Sequence, residues 1–163
     1  MLHGLIEYHL EREVKLKCDL KSERKSVDPQ PWDEYFMSMA LVAASRTTIC
    51  KLQVGAVLTK DNRVLSTGYN GYFPKAQHEP IFEGSSDAAV VHAEQNAILF
   101  AAQSTITLIG ATCYTTHHPC VQCTKLLIAA GICRIVYLFN YKGYADHSVV
   151  VALLKRAKVK ATR

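Results

Sequence analysis

The sequence predicts an α/β protein, a three-layer α/β/α sandwich around a mixed sheet of about five strands. The main observation behind this is the order of its segments: a helix, two strands, then helix and strand in alternation. Composition is the second. Over 163 residues, 49% are hydrophobic and 20% charged, enough for one core without disulfide support.

Residues 1–30 read as an N-terminal extension. Leu2, Leu5, Ile6, His9 and Leu10 suit one side of a short helix, whereas Val14, Leu16, Cys18 and Leu20 alternate with Lys15, Lys17, Asp19 and Lys21 as in a strand. A linker, Lys21 to Ser26, follows. The extension either packs on a neighbouring subunit or remains mobile.

Residues 31–163 form the domain. Pro31, Asp33 and Glu34 suit the start of a helix over Trp32–Ala44, with Trp32, Phe36, Met39 and Ala43 as its core stripe. Gln53 to Thr59 and Arg63 to Tyr69 are the strands of a hairpin that turns through Lys60-Asp61-Asn62. In Gly68-Tyr69-Asn70-Gly71 the glycines allow a sharp turn that presents the Asn70 amide to a ligand, although Asn-Gly also serves as a plain turn. Lys75 to Ala89 is expected as a surface loop over the site. Helices are expected over His92–Ala102 and Cys120–Ala130, the second ended by Gly131. Strands are expected over Ala111–Thr115 and Arg134–Phe139, then a helix over Asp146–Arg156 and a Lys-rich edge strand over Lys158–Thr162.

The chemistry concentrates in Val91-His92-Ala93-Glu94 and Pro119-Cys120-Val121-Gln122-Cys123. One imidazole and two thiolates suit a zinc ion, and three protein ligands leave its fourth tetrahedral position to water, the catalytic arrangement. Glu94, two residues after His92, shares the pocket and can carry protons between water, a ring nitrogen and a leaving amine. Taken alone, the Cys pair would fit a zinc knuckle or a buried thiol pair equally well. His-x-Glu followed by Pro-Cys-x-x-Cys is the signature of zinc nucleobase deaminases, in which water attacks C4 of cytosine and ammonia leaves. Both segments fall at helix N-termini, whose dipole favours thiolate and hydroxide.

Beyond this signature, Gln53-Val54-Gly55-Ala56-Val57, Ser66-Thr67-Gly68-Tyr69-Asn70-Gly71, His92-Ala93-Glu94-Gln95-Asn96-Ala97-Ile98, Tyr114-Thr115-Thr116-His117-His118-Pro119-Cys120 and Gly131 to Tyr137 resemble the deoxycytidylate (dCMP) deaminases of the cytidine deaminase-like superfamily. The resemblance runs from about Trp32 to the C-terminus. It implies a cytidine deaminase-like fold and hydrolysis of dCMP to dUMP and ammonia for thymidylate synthesis. It implies His92, Cys120 and Cys123 as ligands of one catalytic zinc ion and Glu94 as the acid/base. Substrate contacts are implied for Asn70 to the deoxyribose, for the Ala93 backbone and the Thr116 region to the pyrimidine, and for Tyr141. Family members are often hexamers, activated by deoxycytidine triphosphate (dCTP) and inhibited by thymidine triphosphate (dTTP), so a homo-oligomer with these effectors is expected.

Three departures stand out. The loop Gly71-Tyr72-Phe73-Pro74 is one residue longer than the family's usual Gly-x-Pro. Gln103, near Phe100, replaces a common Arg. Between Asn70 and the His-x-Glu motif there is only His78 and no Cys, so the second, structural zinc of some microbial members is not expected.

A net charge of +5 fits an anionic partner, nucleotide or nucleic acid. Lys15–Lys25 and Lys155–Arg163 hold much of the excess and lack the interleaved aromatics of a strand-binding surface, so a small-molecule nucleotide is favoured. Lys51, Lys75 and Lys142 are candidates for its phosphate. Deamination of dCTP, deamination of a nucleic-acid base, and a non-catalytic zinc-stabilised nucleotide-binding regulator are the alternatives. Met1-Leu2-His3-Gly4 leads into charged residues rather than a signal peptide, which implies a cytoplasmic protein with reduced cysteines. Cys50, Cys113 and Cys133 are expected as small buried hydrophobes, and Cys18 has no evident role. No apolar run approaches the ~20 residues of a membrane span.

Overall fold

Successive residues of a strand face opposite sides of its sheet, and here each side has its own core. In the computed structural model, which describes residues 30–49, 51–73, 89–140 and 147–163, Ala56 and Leu58 join Cys113 and Ile135 in one buried cluster. Their neighbours Val57, Tyr114 and Val136 join Phe36, Met37 and Ala40 in another. The elements are α1 (Trp32–Ala44), β1 (Gly55–Lys60), β2 (Arg63–Tyr69), β3 (Gly71–Tyr72), β4 (Val90–Val91) and α2 (Ala93–Gln103). They continue with β5 (Thr112–His117), α3 (Val121–Ala129), β6 (Arg134–Phe139), α4 (His147–Ala157) and β7 (Lys160–Thr162).

The main sheet has five strands in the order β2-β1-β5-β6-β7. It is mixed: β1 pairs antiparallel with β2 and β5, whereas β5, β6 and β7 run parallel. α1 covers one face. On the other lie α2, α3 and α4, through Ala93, Ala97, Ala101, Leu127, Val150 and Leu154. The three-layer sandwich is therefore present, with β7 at the expected edge.

Local chemistry explains the boundaries. The β1–β2 turn shrinks to Asp61 and Asn62, both with positive φ (51° and 56°), as a two-residue turn of strands with native twist requires. Lys60 instead pairs with Arg63. Gly131, at φ +87°, ends α3, and its N–H reaches the Ile128 carbonyl at 3.0 Å. Gly68 has a different function from the turn expected of it. It lies within β2 opposite Ala56, and a Cβ there would sit 2.3 Å from the Ala93 carbonyl oxygen and 2.5 Å from the Ala97 nitrogen. Its missing side chain lets α2 rest directly on the sheet.

Four further expectations need correction. The buried residues of α1 are Phe36, Met37, Ala40 and Ala44; Trp32 is half exposed and stacks on Phe36 at 5.5 Å, while Met39 is only partly covered. Phe36, common to both readings, packs on Tyr114 of the sheet (5.2 Å), and the buried side continues from it through Met37, Ala40 and Ala44 instead of Met39 and Ala43. Cys133 is exposed, because it lies in the link between α3 and β6 with its thiol against the Gly110 and Ala111 carbonyls. Gly71 makes no sharp turn: it pairs with Val91 in the small β3–β4 ribbon. Residues 53 and 54 stop short of β1, since Asn70 takes both backbone groups of Val54.

The expectations for residues 1–29, Cys50, 74–88 (with Lys75 and His78) and 141–146 (with Tyr141 and Lys142) lie outside the described residues. No helix among the described residues is long and apolar enough to cross a membrane.

Candidate active site

Two helix N-termini bring the ligand set together. His92 is the N-cap of α2: its N–H donates to Gln95 Oε1 at 2.9 Å, and its carbonyl accepts from the Asn96 N–H at 2.9 Å. Cys120 caps α3 in the same way. Its Sγ accepts from the Cys123 N–H at 3.3 Å and its carbonyl from Thr124 at 2.8 Å. Cys-x-x-Cys thus puts one sulfur on the cap and the other within the first turn, on the same side.

His92 Nδ1 lies 3.6 Å from Cys120 Sγ and 3.4 Å from Cys123 Sγ, and all three ligand atoms fall within 4.8 Å of one another. The Cys120 thiol is pulled down to about 3, chiefly by the hydrogen bond from the Cys123 thiol and then by His92. The same bond pushes Cys123 up. One imidazole nitrogen and two sulfurs within 4.8 Å of one another are the donor set of zinc, so the residues fit that ion.

Glu94, on the first turn of α2, is 4% exposed. Burial pushes its carboxyl up, and the charge of Cys120 adds to the effect. A buried carboxyl beside a metal site is placed to hold and release a proton during the reaction. Cys113, buried behind it, is also pushed well up, first by burial and then by the charge of Glu94, and behaves as an inert hydrophobe.

A cavity of about 380 Å³ opens over this cluster, bounded by His92, Ala93, Glu94 and Cys120 on the reactive side and by Ile49, Leu52 and Val54 on an apolar wall. It is large enough for a nucleotide-sized ligand. Ala93, fully buried, is the first residue of α2, where backbone N–H groups lack intrahelical partners.

The expected substrate contacts divide. Asn70 and Ala93 line the cavity. The Asn70 amide also ties down the apolar wall: Oδ1 accepts from the Val54 N–H at 2.8 Å and Nδ2 donates to the Leu52 carbonyl at 2.7 Å. Thr116 is buried behind the surface, its hydroxyl accepting from the Gly55 N–H at 3.2 Å, and does not line the cavity. Its two successors His117 and His118 do. The sequence signal for them was their place immediately before Pro119-Cys120. Gln95, which clamps His92, was legible as a cap partner three residues after the N-cap. Lys51 borders the cavity and is exposed.

The model for the cytidine and deoxycytidylate deaminase zinc-binding region matches residues 30–139. A deoxycytidylate deaminase of Mycobacterium phage D29 is 40% identical over 121 residues, covering 65% of this chain and 93% of its own. ComE operon protein 2 of Bacillus subtilis (strain 168) is 37% identical over 117 residues, covering 69% of this chain; the chain spans 62% of that relative's length. Among solved structures, the dCMP deaminase of cyanophage S-TIM5 in complex with dCMP and dUMP superposes with a TM-score of 0.71 at 28% identity, covering 83% of this chain and 99% of that one.

Proposed function

Because the chain belongs to the cytidine and deoxycytidylate deaminase family, we propose that its domain, residues 31–163, is a zinc-dependent hydrolase that converts dCMP to dUMP and ammonia, supplying dUMP for thymidylate synthesis. The observation that carries this is the burial of Glu94 at the base of a nucleotide-sized cavity whose wall also holds the His92, Cys120 and Cys123 donor set. Relatives with deoxycytidylate deaminase names, and a structural neighbour that holds dCMP and dUMP, support the choice of substrate.

His92, Cys120 and Cys123 would hold the zinc. When bound there, the ion supplies Lewis acidity that makes water nucleophilic near neutral pH. Glu94 takes a proton from the attacking water and gives it to N3 of the pyrimidine. It then takes the remaining proton and passes it to the departing amine, so water is consumed and ammonia released in balance. The N–H of Ala93, at the start of α2, offers a donor to the cytosine carbonyl, and the apolar wall of Ile49, Leu52 and Val54 covers the ring. Asn70 contacts the deoxyribose with what its amide has left after holding that wall, and Tyr141 is kept as a substrate contact on the family resemblance alone.

The reading includes a homo-oligomer responsive to dCTP and dTTP; the exposed apolar side chains Leu99 and Phe100 on α2, Leu126 on α3 and Ile109 support an association surface. A reducing, cytoplasmic setting suits the free thiols. Ammonia release by zinc-loaded protein from cytidine, dCMP, dCTP and a cytosine-containing oligonucleotide tests the substrate, each with and without dCTP as effector. Preference for dCMP upholds the reading; turnover of the oligonucleotide alone overturns it.

A further inference from the structure

We infer that His117 is a nucleotide-binding residue, locked by Thr116 into the tautomer that offers a neutral Nε2–H to the 5′-phosphate. The hydroxyl of Thr116 is buried, the residue being 1% exposed. One lone pair already accepts the Gly55 N–H at 3.2 Å, and among the described residues the only other polar partner within reach is His117 Nδ1 at 3.0 Å. A buried hydroxyl must place its proton somewhere. Donation to Nδ1 satisfies it, and this fixes Nδ1 as an acceptor and leaves the ring proton on Nε2. Burial lowers the pKa of the imidazole, in the same sense as the lock, since an imidazolium would strip Thr116 of its acceptor.

The ring is further braced by Phe139, its partner across the β5–β6 register, at 5.2 Å. Nε2 has no partner among the described residues, and His117 lines the cavity. A rigid, braced donor with an unmatched proton facing a ligand pocket is preorganised for an acceptor oxygen. Position selects which oxygen. The reacting carbon must meet Glu94, which is buried, so the far end of the nucleotide points toward the more exposed lining, where His117 is half-buried and Lys51 exposed. The far end of dCMP is its phosphate.

This inference rests on the dCMP reading, and the test separates the two. Inhibition of dCMP turnover by the product dUMP and by deoxyuridine, which lacks the phosphate, is measured for wild type, His117→Leu and His117→Gln at matched zinc content. Leu removes the donor, while Gln keeps an N–H near the Nε2 position. The expected result is a dUMP inhibition constant raised at least about tenfold in His117→Leu, with that for deoxyuridine changed less than about twofold and dUMP binding largely restored in His117→Gln. Equal losses for both inhibitors, or none, overturn the role of His117. Should wild type fail to turn over dCMP, the proposed function falls first, and that outcome is read before any variant.

Discussion

His92 Nδ1 and Cys123 Sγ lie 3.4 Å apart although 31 positions separate them in the chain. Two helix starts, each capped by a ligand residue, make this meeting possible, and the ligand set is therefore part of the fold. Zinc bound to the native site should stabilise the protein by mass action. Chelation is predicted to lower the melting temperature and abolish turnover, with both recovered on adding zinc. His92→Ala should reduce retained zinc from about one ion per chain to well under half, as read by metal analysis after dialysis. Full zinc retention by this variant would place the ion elsewhere.

Glu94 has the opposite energetics to a surface carboxylate. Its folded pKa is raised by burial, so its charged form costs stability, and the cost grows as pH rises through the unfolded value. Glu94→Gln is therefore predicted to melt at or above the wild-type temperature at neutral pH, with zinc retained. Its turnover should fall by about 10²- to 10⁴-fold, the span typical of a lost general acid/base. A variant that loses stability and activity together would argue for a structural carboxylate.

The close approach of α2 to the sheet at Gly68 gives a packing test. Gly68→Ala puts a methyl into the backbone of Ala93 and Ala97, the turn of α2 that carries Glu94. Overpacking of this kind costs about 1–3 kcal/mol, and the displaced helix should lower kcat as well. Denaturant unfolding and steady-state kinetics check both; unchanged values would mean that α2 yields freely.

On the opposite face, Arg134 makes a two-pronged pair with Asp33, and the Tyr114 hydroxyl donates to the same carboxylate at 2.7 Å. Arg134 chiefly holds Asp33 below its ordinary 3.8. For a depressed carboxylate, stability is fully present above the unfolded pKa and is lost as pH falls through the folded one. Asp33→Asn should therefore cost stability at pH 7, on the order of 1 kcal/mol or less because the pair is substantially solvent-exposed. The difference from wild type should shrink as pH falls below 3.8 toward the depressed folded value. Urea titrations across that range measure it.

Much of this molecule was legible because its signals are local. Arg134–Phe139 forms a strand with the expected bounds, and Trp32–Ala44 a helix with the expected bounds, since apolar runs and first-turn acids act within a few residues. The ligand triad was legible because metal chemistry restricts residue type and spacing. What escaped depends on contacts between distant segments. The pairing of Gly71 with Val91 needs two short pieces to meet, and the true buried side of α1 depends on Tyr114 in the sheet. Thr116 and His117 show the same limit at the site. The motif pointed to that stretch, but only the neighbouring strand, through Gly55, decides which residue faces inward and which faces the cavity.

The most direct test is to incubate zinc-loaded wild-type protein and its Glu94→Gln variant with dCMP in water enriched in oxygen-18, and to analyse the product by mass spectrometry. The account predicts that wild type forms dUMP carrying one solvent oxygen at C4, with ammonia in equal amount, and that the variant forms little. Unchanged dCMP with wild-type protein, or dUMP without the label, would contradict it.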